Sequence, residues 1–381
     1  MMILESDREP DRLCSYRHIR RETEGTMKII HCADLHLDSR METNLSSENA
    51  QKRRYELLNT FEKMVDYAVE NGVKAIIIAG DLFDTSTGMQ KKIKSRVLEV
   101  IRSAGNIDFL YLRGNHDKDD ALFCEDNRPL NLKTFSNKWT TYRYDDVTIS
   151  GIEPDMSSDY NISLKPEDIN IVVMHGIVAG VSSKDDAYQI PVAELRNKNI
   201  DYLALGHIHE YRSEKLDERG VMCYSGCLEG RGFDECGRKG FVVIDTDEGT
   251  LEYNFVPFSQ RTCEMVEADI TQAQSEADIL SVIDEKLESI SDKSLVKLVL
   301  TGEVKEELDI DTDYILNRYK DRFFFIKVVN KTQIKIDYDS YRNDISLKGE
   351  FIRQVEMLDI PQDDKAQIIV TGIKVLMGRE L

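Results

Sequence analysis

Residues 73–84, VKAIIIAGDLFD, join a continuous apolar run to a polar stop. The run is rich in β-branched residues and too short for a helix, which is typical of a strand buried on both faces. Similar runs, each ending at Gly, Asp, Asn or His, occur at 28–30, 108–112, 169–174 and 200–205. Amphipathic stretches at 50–70 and 90–104 predict intervening helices. The pattern therefore predicts an α/β fold of packed layers.

The composition limits the class of protein. With 381 residues, the chain is long enough for two or three domains and a large buried core. No apolar run approaches the ~20 residues that span a bilayer, and no N-terminal apolar segment resembles a secretory signal. The seven cysteines form no CxxC pair, which argues against a disulfide framework or a zinc ribbon. We therefore expect a cytoplasmic enzyme without a membrane segment.

The charge balance opposes binding to nucleic acid by bulk attraction. Seventy acidic and fifty basic residues give a net charge of −20, which is the wrong sign for a polyanionic partner. A local basic patch or bound divalent cations can reverse the field at one site. The charge lowers the expectation of tight DNA binding by this chain alone, but it does not exclude local contact.

Changes of pattern divide the chain into four predicted parts. Residues 1–26 are polar and lack apolar periodicity, so we expect a disordered extension. Residues 27–259 hold the repeated strands and stops and end in predicted antiparallel strands. Residues 260–338 predict a small α+β domain with the order strand, helix, strand, helix, strand. Residues 339–381 predict a helical segment, with helices at 346–358 and 362–377 separated by Pro361.

The polar stops contain five of the seven histidines. Each stop follows a predicted strand, so the stops should meet at the carboxyl edge of the sheet, where open α/β sheets place ligand sites. A lone Asp-x-His is weak evidence, but five such stops in order are not expected by chance. In chain order they are Asp34-Leu35-His36, Gly80-Asp81-Leu82-Phe83-Asp84, Gly114-Asn115-His116-Asp117, Met174-His175-Gly176 and Gly206-His207-Ile208-His209.

The donors in these stops are imidazole, carboxylate and carboxamide groups, without thiolate. Such a set suits Mn, Fe or Zn in a catalytic site better than a structural zinc. The donors are too many for one ion and about right for two. Two divalent ions ~3.5–4 Å apart clamp the attacking and leaving oxygens in an in-line phosphoryl displacement. A bridging carboxylate is needed to hold such ions together.

At these residues the sequence resembles the calcineurin-like metallophosphoesterase superfamily, whose signature is DxH, GDxxD, GNHD/E, H and GHxH. The resemblance implies a two-sheet sandwich flanked by helices. It makes His116 the catalytic residue that donates to the phosphoryl oxygen or leaving group, Asp84 the residue that orients it, and a metal-bound hydroxide the nucleophile. It implies two ions, the first held by Asp34, His36 and His209, the second by Asn115, His175 and His207, with Asp81 bridging both.

Two further segments resemble the bacterial SbcD-type DNA-repair exonucleases, and in particular their YhaO-like subgroup. They are residues 27–37, MKIIHCADLHL, and 224–241, YSGCLEGRGFDECGRKGF. The α+β unit at 260–338 matches the capping domain of that family in position and size. The resemblance implies a DNA exo- and endonuclease of double-strand-break repair that prefers Mn, with Fe, Mg or Zn as the other candidate ions.

The same resemblance implies partners. These are DNA, a second copy of the chain, and an ABC-type ATPase with a long coiled coil, SbcC-like or YhaN-like. The C-terminal helices are the predicted ATPase contact, because an amphipathic helix pair needs something to cover its apolar face. The alternative is that they pack on their own domain. An ATPase would also supply the DNA affinity that an acidic chain lacks.

The sequence also offers two further candidate residues and allows other functions. Arg231 and Arg53 are candidates for contact with phosphate, although surface arginines usually have no specific role. A metallophosphodiesterase acting on small nucleotides or cyclic phosphodiesters would use the same catalytic residues. A protein phosphatase is disfavoured, because that branch follows its second motif with Arg-Gly, whereas Thr85-Ser86 follow here. A catalytically silent scaffold for the ATPase is disfavoured by the full ligand set.

Overall fold

The computed structural model describes residues 26–376 except 42–44, 85–89, 118–127, 154–159, 179–187, 248, 307, 336–340 and 342–343. The predicted N-terminal extension lies outside these residues, apart from Thr26. Among the described helices, none is both long enough and apolar enough to cross a membrane.

The described elements alternate in the order that the sequence predicts. The strands are β1 Met27–Cys32, β2 Ala75–Ala79, β3 Asp108–Leu112, β4 Leu132–Thr134, β5 Thr140–Tyr144, β6 Val147–Gly151, β7 Ile169–His175, β8 Ile177–Val178, β9 Gln189–Ile190, β10 Tyr202–Gly206, β11 Arg212–Lys215, β12 Val221–Tyr224, β13 Gly240–Asp247, β14 Thr250–Pro257, β15 Cys263–Asp269, β16 Leu295–Thr301, β17 Glu303–Lys305, β18 Phe325–Asn330 and β19 Gln333–Lys335. The helices are α1 Ser47–Glu70, α2 Gln90–Ser103, α3 Val192–Leu195, α4 Glu276–Leu287, α5 Thr312–Tyr319, α6 Leu347–Glu356 and α7 Gln362–Leu376.

Two six-stranded sheets form the first part of the chain. The first has the order β14-β13-β1-β2-β3-β4, and the second has the order β11-β12-β10-β7-β6-β5. Strands β1 to β4 are parallel, with α1 and α2 as crossovers between β1, β2 and β3. Strand β13 pairs with the other edge of β1 in the antiparallel sense.

The two sheets pack face to face through their apolar side chains. Ile29 and Ile77 of the first sheet share a buried cluster with Ile171 and Tyr202 of the second. Helices α1 and α2 cover the outer face of the first sheet, and α3 and neighbouring loops cover the second. The predicted α/β fold, a two-sheet sandwich flanked by helices, is therefore confirmed.

Helix α1 shows how the sequence directs this packing. The Ser46 side chain accepts a hydrogen bond from the Asn49 amide and so caps the N-terminus. Leu57, Phe61 and Met64 recur at helical spacing and are buried against the sheet. The apolar stripe fixes the face that α1 turns inward, and that face includes Arg53.

Past the sandwich, β15, β16 and β18 form a parallel sheet covered by α4 and α5. This unit has its own buried core, which includes Ile283, Leu298 and Ile315. Helices α6 and α7 pack on each other through a separate cluster that includes Ile352 and Ile369. The order strand, helix, strand, helix, strand is as predicted, whereas the domain boundaries stay a prediction.

Candidate metal centre

The polar stops meet at the carboxyl ends of strands from both sheets. In the first sheet, the amide of Asp34 donates to the Gly80 carbonyl and the amide of His36 to the Asp81 carbonyl, both at 3.0 Å. The amide of His207, at the end of β10, donates to both carboxylate oxygens of Asp34 at 3.0 Å. These bonds join the stops of the two sheets into one cluster.

The backbone turns sharply at the residues that could bind metal. Four have positive φ although none is glycine: Asp34 (53°), His36 (41°), Asp81 (53°) and His207 (102°). Such conformations are uncommon for residues with a Cβ, and backbone strain of this kind clusters at functional sites. The turns end the strands and leave the side chains at the sheet edge.

Asp34, His36 and His209 form the first ligand group. One ligand atom from each side chain lies within 4.8 Å of the others. The distance from His209 Nε2 to Asp34 Oδ1 is 3.9 Å, too long for a hydrogen bond. Two atoms that each bind the same ion at ~2.1 Å can be this far apart. This group can therefore hold one divalent cation.

Asp81, His175 and His207 form the second ligand group under the same criterion. His175 Nε2 lies 3.4 Å from Asp81 Oδ2. The carboxamide oxygen of Asn115 lies 3.0 Å from His175 Nε2 and 3.3 Å from His207 Nδ1. The structure thus brings Asn115 to this group, as the resemblance implied.

Hydrogen bonds on the outer side of three rings assign their tautomers. The Nδ1 atoms of His36, His175 and His209 lie 2.9, 2.8 and 2.7 Å from oxygens of Asp84, Ala79 and Glu235, respectively. A carbonyl or ionised carboxylate only accepts, so each Nδ1 carries a proton, and each Nε2 can bind a cation once it carries no proton of its own.

The ring of His36 tests whether metal ions fit this site. Its Nε2 atom is buried and lacks a hydrogen-bond partner. A buried polar atom without a partner is unfavourable, and a cation would satisfy it. Together with two acidic residues and three other imidazoles, this orphaned nitrogen fits divalent metal ions.

The electrostatics of the second group indicate the same preference. Burial lowers the pKa of His175, but its hydrogen bond to Asp81 and the charge of that carboxylate outweigh burial and raise the pKa to about 9. Burial raises the pKa of Asp81, but the hydrogen bond and charge of His175 bring it well below its usual range. A proton thus stabilises this pair in the absence of a cation, and metal binding displaces such protons.

His116 lies at the mouth of the site. Its side chain is 45% exposed, and its amide donates to Asp81 Oδ1 at 2.9 Å. Its ring packs edge-on against that of His36, with 5.2 Å between centroids. His116 belongs to neither ligand group and is open to a substrate, which suits the acid role that the resemblance implied.

Asp84 contacts two imidazoles, and the closer one is not the expected partner His116. Its Oδ1 atom lies 3.7 Å from His116 Nδ1, which is longer than a hydrogen bond. The same oxygen hydrogen-bonds His36 Nδ1 at 2.9 Å. Asp84 therefore orients the candidate metal ligand His36, and its role toward His116 stays a prediction.

A cavity of about 620 Å³ opens above these residues. It falls within the ~300–1,000 Å³ typical of ligand sites. Its lining includes two cationic side chains, Arg231 and Lys239, together with residues of the stops: Asp81, His116, His207 and His209. The two cationic side chains are committed: Lys239 Nζ donates to the His209 carbonyl at 2.8 Å, and Arg231 Nη2 donates to Glu235 Oε1 at 2.8 Å. Contact between Arg231 and substrate stays a prediction.

The expectation for Arg53 is wrong. Its side chain is 1% exposed, and its Nη1 atom donates to Glu56 Oε2 at 2.6 Å. Its Nη2 atom donates to Glu229 Oε2 at 3.1 Å and to the Gly230 carbonyl at 2.9 Å. A guanidinium enclosed in this way does not reach a phosphate, because the buried face of α1 directs it into the interior.

Replacement of Arg53 by Met should therefore act on stability. We expect the free energy of unfolding to fall by about 3 kcal/mol, because Glu229 is left buried without its cation. Urea denaturation measures this change, and Arg54→Met on the same helix, a partly exposed site, should stay within about 0.5 kcal/mol of the wild type. If Arg53→Met kept the wild-type stability but had a raised KM, the original expectation that Arg53 contacts phosphate would be supported.

Sequence reasoning gave no role to Glu235, whose carboxylate contacts His209 at 2.7 Å. Glu235 stands in the segment 224–241 that carried the resemblance to SbcD-type nucleases. A glutamate among the glycines of this segment was the available signal. Its pairing with a histidine of a distant stop is a tertiary contact that spacing does not reveal.

Comparison with known proteins agrees with this geometry. Residues 27–211 match the calcineurin-like phosphoesterase family, so this part of the chain is a calcineurin-like phosphoesterase domain. The protein is accordingly a metal-dependent phosphodiesterase, a hydrolase acting on ester bonds.

Three relatives match a larger part of the chain than residues 27–211. The DNA double-strand break repair protein Mre11 of Sulfolobus acidocaldarius is 26% identical over 93% of this chain and 100% of its own length. The metallophosphoesterase YhaO of Bacillus subtilis is 26% identical over 74% of this chain and 73% of its own length. The Mre11 protein of Sulfurisphaera tokodaii is 30% identical over 57% and 59%, respectively. These relatives agree with the predicted YhaO-like resemblance, and the SbcD-type subgroup stays a prediction.

Proposed function

We propose that the protein is a two-metal DNA nuclease that acts in double-strand-break repair with exo- and endonuclease activity. The position of Asp81 carries the two-metal part of this proposal. Its Oδ2 atom lies 3.4 Å from His175 Nε2 of the second ligand group and 3.9 Å from His36 Nε2 of the first. A carboxylate between two sets of nitrogen ligands is the arrangement that a shared bridging ligand requires.

The proposed hydrolysis needs a nucleophile, a proton donor and fixed metal ligands. Divalent ions, with Mn as the expected metal, would polarise the phosphodiester and provide a nucleophile near neutral pH. The chain's own residues supply the rest. His116 is close enough to the ligands to donate a proton to the leaving oxygen, and its exposure leaves it within reach of a substrate. Asp84 and Glu235 hold the rings of His36 and His209 for the ions.

The relatives support DNA as the substrate, since the names of two of them state DNA double-strand break repair. We further propose a homodimer and a coiled-coil ATPase partner, SbcC-like or YhaN-like. Helices α6 and α7 support the proposal of a partner. Apolar side chains in these helices or next to them are exposed, among them Leu347, Met357 and Val375. The pair covers only part of its own apolar surface.

The net charge of −20 favours a second candidate. A phosphodiesterase acting on small nucleotides or cyclic phosphodiesters would use the same ligands and would not need a basic surface. Cleavage assays with both substrate classes separate the two candidates.

The test compares wild type and His116→Ala in Mn²⁺ on a DNA duplex labelled at the 5′ or 3′ end and on bis(p-nitrophenyl) phosphate. We expect DNA cleavage by the wild type and a fall of about 10²-fold or more in the variant, because a positioned acid contributes about that much. Metal content and the urea midpoint should not change, since His116 is outside both ligand groups.

Each outcome has a consequence. Turnover of the bis-ester and of small nucleotides without DNA cleavage, even when the ATPase is added, would favour the second candidate. Full activity of His116→Ala would remove the acid role. Absence of bound metal and turnover in folded wild-type protein would support the silent scaffold.

A further inference from the structure

A charged bridge borders the first ligand group. Arg231 Nη2 donates to Glu235 Oε1 at 2.8 Å, and that oxygen lies 2.7 Å from His209 Nδ1. At the other end of the guanidinium, Nη1 lies 3.5 Å from Asp84 Oδ2. Because Asp84 Oδ1 binds His36 Nδ1 at 2.9 Å, one arginine joins the carboxylates that contact both histidines of this group. We call Asp84, Arg231 and Glu235 the Arg231 bridge.

We propose that Glu235, held by Arg231, is a positioning residue that fixes the ring and tautomer of His209 and thereby sets the affinity of the first ligand group for its ion. This inference rests on the proposed function, because it takes Asp34, His36 and His209 to be ligands of a divalent cation.

The burial and contacts of Glu235 support this role. The Glu235 side chain is 6% exposed and that of Arg231 is 21% exposed, so the pair is largely removed from solvent. The Arg231 amide donates to Glu235 Oε2 at 2.7 Å, which leaves both carboxylate oxygens engaged. A carboxylate fixed at both oxygens offers His209 one defined acceptor position.

The proton on the His209 ring follows from the same contacts. Arg231 Nη2 also lies 3.3 Å from His209 Nδ1, but a guanidinium only donates and cannot accept a proton from the ring. The shorter contact with Glu235 therefore places the proton on Nδ1. Nε2, which lies 3.9 Å from Asp34 Oδ1, is left as the cation ligand.

A purely structural role makes a different prediction. If Glu235 only anchored its loop, its removal would loosen the whole edge of the sheet and weaken both ligand groups together. A positioning role affects the first group alone, because the second group has its own support: the Ala79 carbonyl accepts from His175 Nδ1 at 2.8 Å. The two roles thus differ in which ion is lost.

The experiment is calorimetric titration of Mn²⁺ into the metal-stripped full chain. We expect two sites in the wild type. In Glu235→Ala, one site should weaken by about 100-fold and the other should not change, because loss of such an outer partner weakens metal binding by ~10–100-fold. Glu235→Gln keeps the side-chain volume and an acceptor oxygen but releases Arg231, so the same site should weaken by about 10-fold.

The matched control is Asp234→Asn, which removes the same charge from the neighbouring, exposed residue. Its two affinities should equal those of the wild type. Unchanged binding in Glu235→Gln overturns the proposal even if Glu235→Ala does not fold. Equal weakening at both sites, with a lower urea midpoint, overturns it in favour of a loop anchor. A wild-type chain that binds fewer than two ions contradicts the proposed function itself, whatever the variants do.

Discussion

Replacement of Asp81 by Asn is expected to lower kcat for bis(p-nitrophenyl) phosphate on the order of 10⁴-fold. The carboxylate of Asp81 lies within 3.4–3.9 Å of imidazole nitrogens in both ligand groups. Among the ion pairs of the described residues, no other carboxylate contacts both His36 and His175. An amide at this position keeps the shape of the side chain but removes the charge that would hold two cations together.

The measurement pairs turnover with metal content by mass spectrometry. The variant should retain at most one ion, and its Oδ1 should still accept from the His116 amide, so the loop should keep its shape. Asp66→Asn, which changes an exposed carboxylate of α1, is the control and should behave like the wild type. Two ions and normal turnover in Asp81→Asn would refute the bridging role.

Replacement of Gly206 by Ala is expected to be the most destabilising single methyl addition near the site. A Cβ at Gly206 would lie 1.9 Å from the Ala79 carbonyl oxygen and 2.8 Å from His175 Nδ1. The carbonyl belongs to the backbone of β2 and cannot rotate away, so the two sheets would have to separate at this edge. We expect the free energy of unfolding to fall on the order of 5 kcal/mol, at the upper end of single substitutions.

Urea denaturation of the metal-stripped protein measures this effect apart from metal binding. Gly105→Ala, just after α2, is the matched control because the nearest atom to its Cβ would be 3.7 Å away. We expect a change there of less than about 1 kcal/mol. If Gly206→Ala unfolded at the wild-type urea concentration, the close approach of the two sheets at this edge would be disproved.

The sequence predicts the fold well because the central strands of both sheets are buried on both faces. The run 75–79 is entirely apolar, so its strand could be assigned without knowledge of its neighbours. The stops follow such strands, and the carboxyl ends of parallel strands share an edge. The meeting of Asp34 and Asp81 was therefore predictable from order alone, whereas His207 follows a strand of the second sheet and reaches Asp34 across the sandwich.

Other features depend on contacts between distant segments. Asp84 lies near two imidazoles, and the choice of His36 over His116 rests on a difference between 2.9 and 3.7 Å. For Arg53 the sequence did carry a signal, because Arg53, Leu57 and Phe61 recur every four residues and share the buried face of α1. Arg53 follows the first motif closely in sequence, but its position in the helix places it on the buried face.

The order of the first sheet has a consequence for synthesis of the protein. Strand β1 lies between β2 and β13, so one of its neighbours leaves the ribosome only after most of the sandwich has been made. The ligands Asp34 and His36 emerge early, whereas His209 and its partner Glu235 emerge just before β13. A nascent chain therefore holds the first half of a hydrolytic centre without the second. The candidate ligand set is complete only after His209 has been translated, and β1, which precedes Asp34, gains its second neighbour only when β13 has followed.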